Sequence, residues 1–139
     1  MISILSFRLN GKLLGIETKY VKEINRNVEY TAVPLSPKTM IGLFNMRGQI
    51  VSLLNLAYYL GYEETEYTGK KNCIILKAQE SNNQIGFLID KTEDIFEIDE
   101  EKCEIPPANT KDNLYQFIKC VVKLEKELLL VVKNENIFI

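Results

Sequence analysis

Arg47 is the side chain whose type and setting point most directly to chemistry. It is one of three arginines against 14 lysines, and Phe44, Met46, Ile50 and Val51 bracket it. A guanidinium in such a setting either snorkels to water along its own methylenes or pairs with a carboxylate, within the chain or on a partner. The remaining ionisable residues suggest no reaction. The chain has no histidine, which removes the commonest general base, proton shuttle and metal ligand and excludes a Ser–His pair. Glu63-Glu64 and Glu100-Glu101 are neighbours in polar stretches, whereas a two-carboxylate hydrolase needs acids that converge across a cleft. Cys73, Cys103 and Cys120 are odd in number and form no CxxC pair, so neither a zinc site nor a redox motif is legible. They read as small buried hydrophobes of a reducing compartment. There is no P-loop, GxGxxG, GxSxG or HExxH. The expectation is a binding protein without catalytic residues, metal or cofactor.

Composition narrows the partner. At 139 residues the chain is one domain's worth, and 46% hydrophobic with 26% charged residues is ordinary for a globular protein. Seventeen basic against 19 acidic residues leave a net charge of −2, which disfavours nucleic acid. Tyr58, Tyr59, Tyr62 and Tyr67 would suit base stacking, but without a basic groove they read as core and rim packing. Arg8 and Asn10 interrupt the opening apolar stretch, so it does not read as a signal peptide. The run Leu128 to Val132 is far short of the ~20 residues of a membrane helix. A soluble, cytoplasmic chain without membrane insertion is expected.

The elements that must position Arg47 are short strands. Leu5, Phe7 and Leu9 alternate with polar residues before Asn10-Gly11, the strongest short hairpin signal because both turn positions need positive φ. Tyr20, Val21 and Ile24 recur at helical spacing, predicting a short helix from Glu17 to about Asn25–Asn27. Val28 to Val33 reads as a brief strand, and Ser36-Pro37 as a helix start. Ile41 to Leu56 reads as strand, turn and strand, turning at Arg47-Gly48, followed by a helix at Ala57–Leu60 capped by Gly61. Tyr62 to Lys71 is a polar loop. Strands are expected at Asn72–Gln79, Ile85–Asp90 and Thr92–Ile98, with a turn at Glu80 to Asn83. Asp99 to Lys102 is a polar turn or an Asp-capped helix, and Pro106 to Asn109 a loop. Leu114–Leu124 and Leu128–Val132 form a last hairpin around Glu125-Lys126-Glu127. About ten short strands with turns every 8–12 residues suggest small β-barrels rather than a βαβ sheet. The halves also echo each other. Gly15 and Gly86 each open a second hairpin strand, and Lys22-Glu23-Ile24 matches Glu93-Asp94-Ile95 at the same offset along the chain.

Gly15-Ile16-Glu17, Val21-Lys22-Glu23-Ile24, Val33-Pro34 and the run from Ile41-Gly42 through Asn45-Met46-Arg47-Gly48 to Asn55-Leu56 together resemble the CheW family of chemotaxis coupling proteins. The resemblance runs from Leu5 to about Phe138. Gly86-Phe87-Leu88-Ile89-Asp90-Lys91-Thr92 approximates the motif of the family's second half. It implies a mainly β fold of two SH3-like five-stranded β-barrels about a shared seam, forming a single CheW-like domain over residues 1–139. It also implies a non-catalytic adaptor joining the regulatory domain of a CheA-type histidine kinase to the cytoplasmic tips of chemoreceptors. Such a chain would be a monomer alone and assembled in receptor arrays on the inner face of the membrane.

Carried over by motif, the receptor-facing patch is Val21, Glu23, Gly42, Arg47 and Gly48, with Asn45 as a structural member. Val21 supplies apolar contact, Glu23 a polar rim and Gly42 close backbone approach. The kinase contacts fall near Thr92, Glu104, Ile105 and Pro107. Several positions depart from the family pattern: Ser52 stands for a proline, Asn55 for an aspartate, and Thr92 for an aliphatic residue. The alternatives are an adaptor of a surface-motility pathway, an SH3-like barrel that binds or turns over a small molecule, and a small RNA-binding barrel.

Overall fold

The computed structural model describes residues 1–62, 71–77, 84–105 and 116–134. Ten strands run through them: β1 (Ile2–Leu9), β2 (Lys12–Glu17), β3 (Val21–Val28), β4 (Met40–Met46), β5 (Gln49–Leu54), β6 (Lys71–Leu76), β7 (Gln84–Ile89), β8 (Lys91–Ile98), β9 (Ile118–Lys123) and β10 (Leu128–Val132). A short helix α1 (Leu56–Tyr59) follows β5.

The strands form two five-stranded sheets, in the orders β8-β1-β2-β10-β9 and β3-β6-β7-β5-β4. They are called here the first and second barrel. Each curls until its edges meet at one backbone bridge beyond the strands. Glu104 pairs with Val121 in the first barrel, and Thr31 with Leu43 in the second. The architecture is two SH3-like barrels.

The two sheets are the same arrangement twice. The hairpin β1–β2 corresponds to β6–β7, and β4–β5 to β9–β10. The intervening strands are exchanged: β3 leaves the first hairpin to pair with β6, and β8 leaves the second to pair with β1. The constant offset between the halves is therefore structural. Gly15 lies opposite Ser6, and Gly86 opposite Ile75. Ile24 pairs with Ile74, and Ile95 with Leu5. Both exchanged strands also bulge at the residues before these isoleucines. In the first barrel the Ser6 hydroxyl fills the bulge, donating to the Asp94 carbonyl (2.8 Å) and accepting from its N–H (2.9 Å).

Three apolar clusters follow from strand alternation. Ile4, Leu13, Cys120, Leu129 and Val131 fill the first barrel. Phe44, Val51, Leu53, Cys73, Ile75 and Leu88 fill the second. Between them, Leu5, Phe7, Leu14 and Ile16 meet Ile74, Leu76, Phe87 and Ile89, with Leu56 and Leu60 from the α1 region. Phe7 and Phe87 stack across this seam with centroids 5.6 Å apart. The central hairpins are thus buried on both faces, which explains their long apolar runs. Gly15 and Gly86 face the barrel interiors, where a Cβ would come within 2.6 Å of Ile4 Cγ2 and 2.9 Å of Cys73 Sγ respectively.

Three sequence expectations are corrected. Residues 17–24 are not a helix; a single 3-10 turn, Thr18–Tyr20, leads straight into β3. Tyr20 and Val21 do face a core, but as the start of a strand that pairs with β6, and a long-range ladder overrides the local spacing. The strand expected at 28–33 ends at Val28, and only Thr31 pairs beyond it. Ser36-Pro37 starts no helix; reverse turns lead into β4, with Met40 N–H donating to the Pro37 carbonyl (3.0 Å). The Asn10-Gly11 turn (φ 53° and 77°), the Asp99-capped turn and the short helix before Gly61 (φ 72°) are as expected. The turn at 80–83 and the loop at 106–109 lie outside the described residues.

Candidate functional site

The β4–β5 hairpin presents Arg47. Met46 pairs with Gln49, closing a two-residue turn in which Arg47 (φ 52°) and Gly48 (φ 85°) are both left-handed. That is the geometry matching strand twist. Asn45 Oδ1 accepts the Gly48 N–H at 2.8 Å, so Asn45 shapes the turn. The guanidinium lies 70% exposed, with Nη2 donating to Glu23 Oε1 at 2.7 Å. Glu23 reaches it from the bulge of β3, at the opposite edge of the same sheet. Exposed pairs of this kind contribute about 0–1 kcal/mol.

Val21 lies at the head of β3, half-buried against the seam. Glu23, Arg47 and Gly48 are brought together at the second barrel's rim. Gly42 is buried, and the backbone it admits is the chain's own: a Cβ there would run into the Thr31 carbonyl oxygen at the barrel closure. Thr92, the second residue of β8, pairs with Phe7 as Val21 pairs with Leu76. Thr92 and Val21 are therefore matching positions of the repeat. Glu104 closes the first barrel through two backbone bonds to Val121, and its carboxylate lies 3.7 Å from Lys123. Ile105 beside it is 84% exposed. Pro107 lies outside the described residues. Asn55, in place of the family's aspartate, still caps α1, its Oδ1 accepting the Tyr58 N–H at 3.2 Å.

Sequence reasoning missed two features. Glu17 is buried at the end of β2 and held by Lys119 of β9 and by Lys19 (3.2 Å). Burial pushes its carboxyl up, but the two ammonium groups outweigh this and hold it below the usual range. The same contact raises Lys119. The signal of Glu17 in the sequence is an acid directly following the apolar run of β2, a position that local spacing alone assigns to a helix start. The second missed feature is an open cleft of about 780 Å³ between β3 and β4. It follows from how the barrel closes and has no local sequence signal. Cys73 and Cys120 are poor nucleophiles: burial pushes their thiols up to about 12. Among the described residues, no three histidine, cysteine or carboxylate side chains cluster as metal ligands.

Fold and site define a class: a protein of two small barrels, joined by exchanged strands, that presents charge on the rim of one barrel. Comparison with known proteins identifies the family. The sequence profile of the CheW-like domain matches residues 3–138, and the chain belongs to the CheW family. It is 27% identical over 135 residues to the probable chemotaxis protein CheW of Rhizobium etli, covering 97% of this chain and 86% of that one. The Bacillus subtilis chemotaxis protein CheW is 27% identical over 126 residues, covering 91% and 80%. The crystal structure of the scaffolding protein TtCheW from Thermoanaerobacter tengcongensis superposes with a TM-score of 0.84 at 24% identity, covering 99% of this chain and 88% of that one.

Proposed function

We propose that the chain is a non-catalytic chemotaxis adaptor, a single domain over residues 1–139 that joins a chemoreceptor tip to the regulatory domain of a CheA-type kinase at the inner membrane face. The observation that carries this is the exposed Glu23–Arg47 pair, set beside half-buried Val21 on a chain of this family. Partner surfaces combine apolar anchors with a charged rim. Val21 supplies the anchor, and Glu23 and Arg47 the rim. Arg47 spends one donor on Glu23 and carries others that suit a partner carboxylate. Gly48 lets the turn present the guanidinium, and Gly42 holds the barrel shut behind it. Kinase contacts fall at Thr92, Glu104 and Ile105 of the first barrel and at Pro107, which follows them in the sequence. One chain then holds both partners, and receptor state biases kinase state through the interfaces.

Titration calorimetry against the regulatory domain of a CheA-type kinase from the same organism tests the kinase arm. Saturable one-site heat is expected, weakened by Glu104→Lys and unchanged by Arg47→Glu. No heat with a folded protein removes the kinase arm. Receptor-dependent kinase control tests the other arm, where Arg47→Glu is expected to abolish coupling.

A further inference from the structure

The two barrels close differently, and the second leaves an open cleft between β3 and β4. In the first barrel, β8 runs in unbroken register from Ile95 to Ile98 along β1. Phe96 of edge strand β8 and Leu124, just past edge strand β9, pack onto that barrel's core. In the second barrel β3 carries one residue more: Asn25 faces Cys73, but Val28 rather than Asn27 faces Lys71. Asn27 sits at φ 57° in this extra bulge. Such a bulge bends its strand and breaks the ladder. Asn25 stands at the position of Phe96, and its side-chain amide donates to Met46 Sδ at 3.2 Å. Between the Thr31–Leu43 bridge and the Glu23–Arg47 pair, no backbone hydrogen bond joins β3 to β4 among the described residues. The result is the cleft of about 780 Å³, within the ~300–1,000 Å³ of ligand clefts.

The walls state the chemistry of an occupant. Two unpaired strand edges flank the cleft and offer main-chain donors and acceptors to an extended segment. Phe44 and Met46 form the floor, and Ile50, 57% exposed, an apolar wall. Arg26 of β3 and Arg47 of the β4–β5 turn, two of the chain's three arginines, both line the cleft, and Arg47 keeps donors beyond the one it gives Glu23. Glu29 also lines the cleft and makes an interaction of its own. We infer that the β3–β4 cleft of the second barrel is a strand-addition site for an extended peptide of a partner protein, alternating apolar and acidic residues. Its backbone pairs with β3 or β4, its apolar side chains point to the floor, and its carboxylates meet Arg26 and Arg47. The cleft shares Arg47 with the proposed receptor patch and rests on that reading only there; Arg26 and Asn25 lie outside the patch and test the cleft separately.

The test is a titration of the full-length, isotope-labelled chain, read by amide NMR shifts, with a capped hexapeptide of alternating valine and glutamate. Saturable shifts confined to β3 and β4 are expected. Arg26→Glu is expected to weaken binding about tenfold. Asn25→Phe, which copies the filling of the first barrel, is expected to abolish it while leaving the other amide shifts in place. A peptide N-methylated at alternate residues is expected to lose binding, because strand addition needs those N–H groups. Equal binding of a valine–lysine peptide, binding indifferent to Arg26→Glu and Asn25→Phe, or no shifts at millimolar peptide with a folded chain would each overturn the inference.

Discussion

The two barrels share one backbone plan, yet the same interior layer is ionic in one and apolar in the other. Glu17 lies two residues after Gly15 on β2, as Leu88 lies two residues after Gly86 on β7. Lys119 precedes Cys120 on β9 as Ile41 precedes Gly42 on β4. Lys119 grips buried Glu17, whereas Leu88 is fully buried and Ile41 packs on its cluster. The closures differ as well. Gly42 sits where the first barrel has Cys120, and only the second barrel needs a missing Cβ beside its bridge. A duplicated fold thus fixes where side chains point without fixing which interaction fills each position. One layer can be held by a charge pair or by apolar contact, provided the pair is complete.

The sharpest way to break this comparison is at the closure. Gly42→Val places a branched side chain against the Thr31 backbone, which cannot yield without opening the bridge. The expected loss is about 3 kcal/mol, at the upper end for overpacking. Cys120→Ala, at the matching position, removes one buried sulfur and is expected to cost only about 1 kcal/mol. Urea denaturation of both variants reads the difference. Equal losses would show that the closures are the same after all.

Next comes the ionic layer. Lys119→Ile leaves Glu17 buried with Lys19 alone and is expected to cost about 3 kcal/mol. Glu17→Leu frees Lys119 to reach water, since it is 45% exposed, and is expected to cost about 1.5 kcal/mol. Glu17→Leu with Lys119→Ile copies the second barrel and is expected to return within about 1 kcal/mol of the parent, because apolar pairs replace buried ion pairs well. A double variant as unstable as the sum of the singles would show that the layers are not interchangeable.

The same pair sets an acid response. The Glu17 carboxyl titrates below its unfolded value in the native state. Its contribution is therefore complete above the usual glutamate range and fades as pH falls through the lower native value. The parent is expected to lose stability across that acid window faster than Glu17→Leu, and the two curves to run parallel at neutral pH. Denaturant midpoints measured from pH 7 to pH 3 check this. Parallel curves throughout would mean that the ion pair contributes nothing.

Much of this was legible because it is local. Asn10-Gly11 and Arg47-Gly48 announce two-residue turns, Asp99 and Gly61 announce ends, and Gly15 with Gly86 announces the repeat. What was illegible is nonlocal. β3 looked helical because Tyr20, Val21 and Ile24 serve two environments, the seam and a barrel rim, with a bulge between them. Its pairing partner, β6, comes only after β4, β5 and α1 have intervened, and no local pattern records that β3 and β8 are exchanged. Arg47 was conspicuous by its type, but its link to Glu23 exists only once the sheet has curled. Gly42 was readable as a place for close approach, whereas the approaching group, Thr31, belongs to the chain itself.

The smallest effect is at Arg47, where its size is the argument. A non-glycine residue at φ 52° costs roughly 1 kcal/mol. The exposed bond to Glu23 returns about 0–1 kcal/mol. Arg47→Gly removes both terms and is expected to leave stability within about 0.5 kcal/mol of the parent, the usual range for a surface substitution. The matching turn of the first barrel, Glu125-Lys126, has no residue at positive φ, so the fold does not require a strained cation in this place. An arginine held in a strained turn at no net gain in stability has its use at the surface, which is what a docking role requires. Urea denaturation of Arg47→Gly decides the point. A loss of more than about 2 kcal/mol, well beyond what an exposed ion pair supplies, would make Arg47 a structural post of the second barrel and remove the support for placing it in a receptor contact.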